Sequence, residues 1–250
     1  KRIAEVSAWL VPIMAVLYFV SVLSAILLNI DQLLPSFRLI FVDAFTGNAV
    51  LGGGIAGVII TGIRRGAFSN EAGIGTESLV HGAAKTSNPV KQGLVAMTGP
   101  IFDTLIMCTL TALIILISGV WQSSDSSGVT LTSEAFSMIL GPIGSLILFL
   151  CVVSFGMSTI FTYSYYGASC AKFLFGESGN KIYQYIFILF VGIFSVTSLD
   201  FALNVVDGSF AMMAIPTLIS TIWLAPKVVA KANDYFTTLK TQDKKELNRA

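Results

Sequence analysis

The stretch NAVLGGGIAGVIITGIRRGAF, residues 48–68, is apolar along most of its length and carries three consecutive glycines, Gly52, Gly53 and Gly54. A helix in lipid must satisfy its own backbone hydrogen bonds. Each glycine in a helix interior costs about 1 kcal/mol relative to alanine in water. The triplet therefore favours local unwinding inside an apolar segment.

Two interpretations of the glycine triplet stay open. Unwound backbone inside a membrane offers free N–H groups for a carboxylate and free C=O groups for a cation, as in the interrupted helices of secondary transporters. Alternatively, the small-xxx-small spacings Gly53–Gly57 and Gly62–Gly66 are typical of close helix packing. The G-x-G-x-x-G pattern from Gly52 to Gly57 is not a dinucleotide motif, because it follows no strand and has no βαβ frame.

The composition indicates an integral membrane protein. The 250 residues are 54% hydrophobic and 12% charged, with a mean hydropathy of +0.81, whereas a soluble domain carries about 25% charged residues. The net charge of +1 gives no basis for nucleic-acid binding. The three cysteines are widely spaced, and they fit neither a disulfide framework nor a metal motif.

Six segments are long and apolar enough to cross a bilayer, which requires about 20 mostly apolar residues. We predict an all-α, polytopic fold with spans at 9–30, 47–68, 93–120, 136–166, 182–197 and 199–224. The segment LPSFRLIFVDAF between the first two spans is too short to cross and predicts an interfacial helix. Residues 1–236 then form a membrane domain, and residues 237–250 form a polar cytoplasmic tail.

The basic residues support this count. With Lys1 and Arg2 in the cytoplasm, alternate crossings place fourteen of the fifteen basic residues on that side and leave only Arg38 outside, as the positive-inside rule requires. Adding or removing one span destroys this sorting. We expect a multi-pass protein of the plasma (inner) membrane with a cytoplasmic C-terminus.

The region after the second span predicts a structured cytoplasmic connection. Ser69–Gly75 has the polarity and glycine content of a loop, and Asn70 and Glu71 are candidate caps for the next helix. Thr76–Lys85 predicts an amphipathic helix. In "SNP", the side chain of Asn88 is expected to cap a helix in which Pro89 occupies the first turn.

Three motifs in this part of the chain resemble a known family. GAFSNEAGIGTES, HGAAKTSNPVKQGLVAM and DTLIMCTLTALIILISG are similar to the sodium:alanine/glycine symporters of bacteria and archaea. The resemblance implies a leucine-transporter-type fold, with two five-helix inverted repeats around a midplane site. It further implies that the first span closes the first repeat, that the other five spans form the second, and that the N-terminal half of the transporter is a missing partner of this C-terminal half.

The fourth span carries a pair of neighbouring hydroxyls, Ser158 and Thr159, with Ser154 and Thr162 one turn to either side. Sodium is a hard cation that prefers oxygen ligands, so this pair is a candidate sodium site. The alternative is ordinary hydrogen bonding of these hydroxyls back to their own helix. The residues alone do not decide between the two, and the resemblance implies that Ser158 and Thr159 bind sodium.

The resemblance also implies a substrate pocket. It would be lined by Tyr163 and by the backbone at Gly52, Gly53 and Gly54 with the adjacent Ile55. Family members commonly have Trp in place of Tyr163 and a bulkier residue in place of Gly54. These two departures leave open whether alanine or a larger amino acid fits the pocket.

Two carboxylates lie within apolar runs, Asp103 in the third span and Asp207 in the sixth. A carboxylate at mid-depth costs about 2.5–3.5 kcal/mol on insertion scales, so each should face a cavity, a cation or hydrogen-bond donors. Ion binding or gating is one role for them, and structural hydrogen bonding is the other. His81 and Glu77 are four residues apart but lack a third metal ligand.

Together these features predict sodium-coupled symport of small neutral amino acids, alanine or glycine, into the cell. Sodium would be the co-transported ion, and no cofactor is expected. The alternatives are a proton-coupled amino-acid transporter and a non-transporting membrane subunit. An enzyme is not expected, because no nucleophile–base pair or metal cluster can be assembled from one histidine and scattered carboxylates.

Overall fold

The computed structural model describes residues 2–44 and 54–247, and every regular element in these ranges is helical. This confirms the all-α prediction for the part of the chain that is described. The α-helices are α1 (Arg2–Leu28), α2 (Leu33–Ala44), α3 (Gly54–Asn70), α4 (Thr76–Gly82), α5 (Pro89–Ala96), α6 (Thr109–Ser118), α7 (Gly128–Phe194) and α8 (Leu199–Leu247). Short 3₁₀ turns at Ile30–Gln32 and Val120–Gln122 precede α2 and follow α6.

The residues between α5 and α6 continue the same helical rod with altered geometry. A helical turn at Thr98–Pro100 leads into a π-helical segment, Ile101–Cys108, which joins α6. The widened π turn is uncommon and often occurs at functional sites. Asp103 lies in this segment.

Two compact units divide the chain. The first comprises Lys1–Gly66 and Phe102–Phe190, and the second comprises Ala67–Ile101 and Val191–Ala250. In the first unit, Phe136 of α7 packs against Tyr18 of α1, with 5.8 Å between ring centroids. The Tyr18 hydroxyl lies 2.5 Å from Thr111 Oγ1, which itself donates to the Met107 carbonyl at 2.8 Å. This relay stabilises the contact between α1 and α6.

Four helical stretches are long and apolar enough to span a membrane: Trp9–Leu28, Pro89–Ser118, Gly128–Phe194 and Leu199–Gln242. The fourth and sixth predicted spans lie within these stretches. The first, third and fifth overlap them, but each was predicted to end two or three residues beyond the end of the helix. The second predicted span corresponds in part to α3, which has 17 described residues from Gly54 onward. The chain is therefore a multi-pass helical membrane protein.

Helix α7 has 67 residues, whereas about 20 helical residues are enough to cross the roughly 30 Å of a bilayer core. The backbone is non-helical at two glycines within it, Gly141 (φ 66°) and Gly176 (φ 72°). Both have a positive φ, which glycine adopts without steric cost. Pro142 follows the first break and disfavours helical geometry in the residue before it. The second break falls between the predicted fourth and fifth spans.

Several local predictions can be compared directly with the structure. Helix α2 covers residues 34–44 of the segment predicted as an interfacial helix, and Phe45 lies outside the described residues. The Asn88 side chain accepts a hydrogen bond from Val90 N–H at 2.9 Å, which confirms the predicted cap. The helix predicted over Thr76–Lys85 is shorter and ends at Gly82. Its N-cap residue is Gly75, so the prediction that Asn70 or Glu71 caps it was wrong.

Candidate functional site

The hydroxyl pair lies at the centre of an uninterrupted part of α7. Between the breaks at Gly141 and Gly176 the helix runs for about 34 residues, from Pro142 to Phe175. Ser158 lies sixteen residues after the start of this segment, and Thr159 lies sixteen residues before its end. The side chain of Ser158 is half-buried and that of Thr159 is exposed. Both hydroxyls therefore sit near the middle of the longest unbroken helix in the first unit.

The hydroxyls of Ser158 and Thr159 differ from that of the neighbouring Thr162 in their hydrogen bonding. The Thr162 hydroxyl donates to the Ser158 carbonyl at 2.9 Å, which is the back-bonding alternative. Ser21 of α1 does the same with the Leu17 carbonyl at 2.7 Å. The hydroxyls of Ser158 and Thr159 make no hydrogen bond with any other described residue. Their oxygen lone pairs are chemically suited to a hard cation.

An aromatic cluster follows one turn later on the same helix. Tyr163 lies four residues after Thr159, and residues at this spacing share a helix face. The Tyr163 ring is half-buried and its centroid is 5.5 Å from that of Tyr166. Tyr165 contacts Tyr166 edge-on, with 6.4 Å between centroids. Three of the predicted site residues, Ser158, Thr159 and Tyr163, are thus brought together on α7.

The glycine triplet is only partly described. Gly52 and Gly53 lie outside the described residues, so their predicted break in the helix stays a prediction. Gly54 and Ile55 are the first two residues of α3. Gly57, Gly62 and Gly66 have open space where a side chain would begin. None of these three glycines is therefore needed for close packing within the described part of the chain, which weakens the small-xxx-small interpretation for them.

The two intramembrane carboxylates occupy different units. Asp103 is half-buried in the π-helical segment, where the Thr104 hydroxyl donates to its Oδ2 at 3.4 Å. Asp207 is half-buried in α8, and its Oδ2 is shielded from solvent.

The histidine region has no metal-site geometry. Gln92 Nε2 donates to His81 Nδ1 at 2.7 Å, so the ring nitrogen accepts a hydrogen bond. Burial raises the pKa of the Glu77 carboxyl, the nearby His81 lowers it, and the charge of Glu71 raises it. Among residues 2–44 and 54–247, no group of three His, Cys, Asp or Glu side chains is placed to hold a metal ion.

Sequence reasoning missed two features of this region. One is the π-helical segment around Asp103, for which the preceding Gly99–Pro100 pair is the only local signal. The other is a contact between Thr217 of α8 and the loop residue Ile74, where the Thr217 hydroxyl donates to the Ile74 carbonyl at 3.0 Å. These residues are 143 positions apart, so no local pattern could have paired them.

Known proteins resemble this chain over nearly its whole length. It matches the sodium:alanine symporter family over residues 1–249. An uncharacterized transporter of Haemophilus influenzae is 38% identical over 245 residues, which cover 96% of this chain and 54% of that protein. The sodium/alanine symporter AgcS of Methanococcus maripaludis is 37% identical over 238 residues, covering 94% of this chain and 52% of AgcS.

A third relative, the probable sodium/glutamine symporter GlnT of Bacillus subtilis, is 36% identical over 241 residues, covering 94% of this chain and 49% of GlnT. The chain spans about half the length of the curated relatives that it matches. The family is one of transporters, in agreement with the expectation that the chain is not an enzyme. With this match over nearly every residue, the chain belongs to the sodium:alanine symporter family.

Proposed function

We propose that this chain is part of a secondary active transporter that carries small neutral amino acids, alanine or glycine, into the cell together with sodium. Membership of the family and the similarity to the sodium/alanine symporter AgcS support this proposal. Because the chain spans about half of its relatives, we propose that it supplies the C-terminal half of the transporter and that an N-terminal half completes the binding site.

The proposed sodium ligands are the hydroxyls of Ser158 and Thr159. The observation that carries this assignment is their position at the centre of the helix between Gly141 and Gly176. In addition, the Thr162 hydroxyl bonds back to its own helix, whereas the hydroxyls of Ser158 and Thr159 do not. A helix that crosses a bilayer symmetrically places its centre at mid-depth, where secondary transporters bind substrate and ion. Neutral oxygens replace the water around sodium and still permit its release.

We propose a substrate site beside these hydroxyls. It combines the backbone of Gly52, Gly53 and Gly54, the neighbouring Ile55, and the ring of Tyr163 on the turn after the hydroxyl pair. Free N–H groups at the start of a half-helix attract a carboxylate, since the helix dipole favours negative charge there. An aromatic ring offers an apolar wall for a small side chain.

We also propose six membrane spans in a leucine-transporter-type arrangement. The 67 residues of α7 are more than one crossing requires, and its break at Gly176 falls between the predicted fourth and fifth spans, which supports two crossings. Residues 54–68 of α3 supply about 22 Å of the second span. The charge sorting then places the C-terminus in the cytoplasm. Residues 1–236 form the membrane domain and residues 237–250 the polar tail.

Asp103 and Asp207 are proposed as ion-binding or gating groups. The π-helical geometry around Asp103 supports this role, because π turns often occur at functional sites. For Asp207, the support is the shielding of one carboxylate oxygen from solvent within an apolar stretch of α8.

Uptake of labelled alanine by the full-length protein in vesicles tests this function. We expect accumulation with an inward sodium gradient and none with an equal potassium gradient. Equal uptake under the two gradients would refute sodium coupling. Accumulation driven by an inward proton gradient without sodium would establish proton coupling instead. Substrate binding without any accumulation would identify a non-transporting membrane subunit.

The sodium ligands are tested by substitution within α7. Replacing Ser158 by Ala, or Thr159 by Val, should raise the sodium concentration for half-maximal uptake by roughly tenfold or more, the scale of a lost charge-assisted contact. Thr162→Val is the matched control, because its hydroxyl only back-bonds to Ser158. An equal sodium shift in the Thr162 variant, or no shift in the pair variants, would contradict the assignment.

A further inference from the structure

The loop after α3 and the first residue of α4 are the most buried part of the second unit. Within residues 67–101 and 191–242, only Ile74 and Thr76 have buried side chains, at 6% and 2% exposure. The long helix α8 in the same unit has no buried residue over this range. Loops are ordinarily on the surface and mobile. In this unit the loop is instead the most buried part.

Internal hydrogen bonds hold this loop in one shape. Glu71 has a left-handed backbone (φ 55°), which is uncommon for a residue other than glycine. The Thr76 hydroxyl donates to Glu71 Oε2 at 2.5 Å, and Ile74 N–H donates to the Glu71 carbonyl at 3.1 Å. The Asn70 side chain accepts from Ala72 N–H at 2.9 Å. The loop is thus preformed as it leaves the end of α3.

This preformed loop contacts helix α8 at Thr217. The Thr217 hydroxyl reaches two carbonyls, Ile74 O at 3.0 Å and Met213 O at 2.9 Å. Gly75 has φ +105°, and a Cβ added there would lie 2.6 Å from Thr217 Oγ1. A side chain at this position would therefore displace the Thr217 hydroxyl.

A second contact lies on the same face of α8. The ring of Phe68, in the last turn of α3, packs against Phe210 with 5.3 Å between centroids. Phe210 and Thr217 are seven residues apart, which is two helical turns, so they share one face. The last turn of α3 and the loop after it thus contact α8 at two positions that are two helical turns apart.

We propose that Thr217 is a positioning residue that clamps the loop at the end of α3 to α8, so that α3 and α8 move together during transport. This inference rests on the proposed function, because α3 begins at Gly54 and Ile55 of the proposed substrate site. Any displacement of α3 on substrate binding is then carried through the rigid loop to α8. Without the clamp, substrate binds but the movement is not transmitted.

Transport kinetics test the clamp. Thr217→Val in the full-length protein should lower the maximal rate of sodium-driven alanine uptake by roughly fivefold or more, the scale of one lost hydrogen bond, and leave half-saturation by alanine within about twofold. Thr217→Ser keeps the hydroxyl and should restore the rate. Thr221→Val is the matched control, because its hydroxyl bonds only to the Thr217 carbonyl at 2.8 Å. A wild-type rate in Thr217→Val, or an equal loss in Thr221→Val, overturns the proposal.

Hydrogen exchange reports on the clamp independently of transport. The amides of residues 71–76 should exchange faster in Thr217→Val than in Thr221→Val, because an undocked loop opens more readily. Gly75→Ala perturbs the same contact from the loop side and should give the same acceleration. Unchanged exchange in both clamp variants overturns the proposal even where uptake falls. If the unaltered protein shows no sodium-driven uptake, the proposed function fails while the exchange result still decides whether the loop is clamped.

Discussion

The packing of Phe136 against α1 predicts a large and position-specific effect on stability. The Phe136 side chain is completely buried, and its ring contacts Tyr18 at a centroid distance of 5.8 Å. Val22 of α1 and Ile114 of α6 belong to the same core and are also inaccessible to solvent. Replacing Phe136 by alanine removes the side chain that joins three helices.

The magnitude depends on the contacts and volume that the substitution removes. In water-soluble proteins, Phe→Ala in a core costs about 3–5 kcal/mol, from lost transfer energy and from the cavity left behind. In a membrane the transfer contribution largely disappears, since lipid tails are as apolar as the side chain. The cavity contribution remains, and about 100 Å³ of lost volume at about 24 cal/mol per Å³ gives about 2.4 kcal/mol. We therefore expect Phe136→Ala to lower the free energy of unfolding by about 2 to 3 kcal/mol.

Unfolding of the full-length protein by SDS titration in mixed micelles measures this change. Phe173 lies on the same helix with 89% of its side chain exposed, so Phe173→Ala is the matched control. We expect the control to change the free energy of unfolding by less than about 1 kcal/mol. Equal losses in the two variants, or a loss below about 1 kcal/mol for Phe136→Ala, would refute the reasoning from burial.

Three further predictions concern individual backbone and charge features. A Cβ at Gly144 would collide with the Phe136 carbonyl oxygen, so Gly144→Ala should lower the unfolding midpoint, whereas Gly156→Ala on the same helix meets open space and should not. Asn88→Ala should cost about 1 kcal/mol of stability and Asn88→Asp should cost little, since only the latter retains a capping oxygen. Burial raises the pKa of Glu77 above 4.5, so the folded state loses stability as the pH rises from 4.5 through that raised pKa. The Glu77→Gln variant should therefore have a higher melting temperature than the unaltered protein at about pH 7 and the same melting temperature at about pH 4. A difference in melting temperature that stays constant across this range would contradict a raised pKa of Glu77.

Local physical chemistry made the helical architecture predictable. Apolar runs of sufficient length locate the helices, the Asn88–Pro89 pair marks the start of α5, and a polar stretch around Gly176 marks the break in α7. The Gly141 break was not predicted, although the Gly–Pro sequence there contains its cause. Such signals act within a few residues, and the sequence displays them directly.

The remaining features depend on contacts that local patterns do not encode. The π-helical segment at Ile101–Cys108 shifts hydrogen bonds within an otherwise ordinary apolar run. The contact between Thr217 and Ile74 joins residues far apart in the chain. For the candidate site, hydroxyl chemistry drew attention to Ser158 and Thr159, but only the two breaks in α7 reveal that the pair is central.

The central position of this pair has a mechanical consequence. The rod from Pro142 to Phe175 is about 51 Å long, so a tilt of about 10° around its midpoint displaces each end by roughly 4 Å in opposite directions. The midpoint itself stays where it is. An ion held at the proposed site of Ser158 and Thr159 would therefore stay at the pivot of such a tilt, because the breaks at Gly141 and Gly176 are equally far from it.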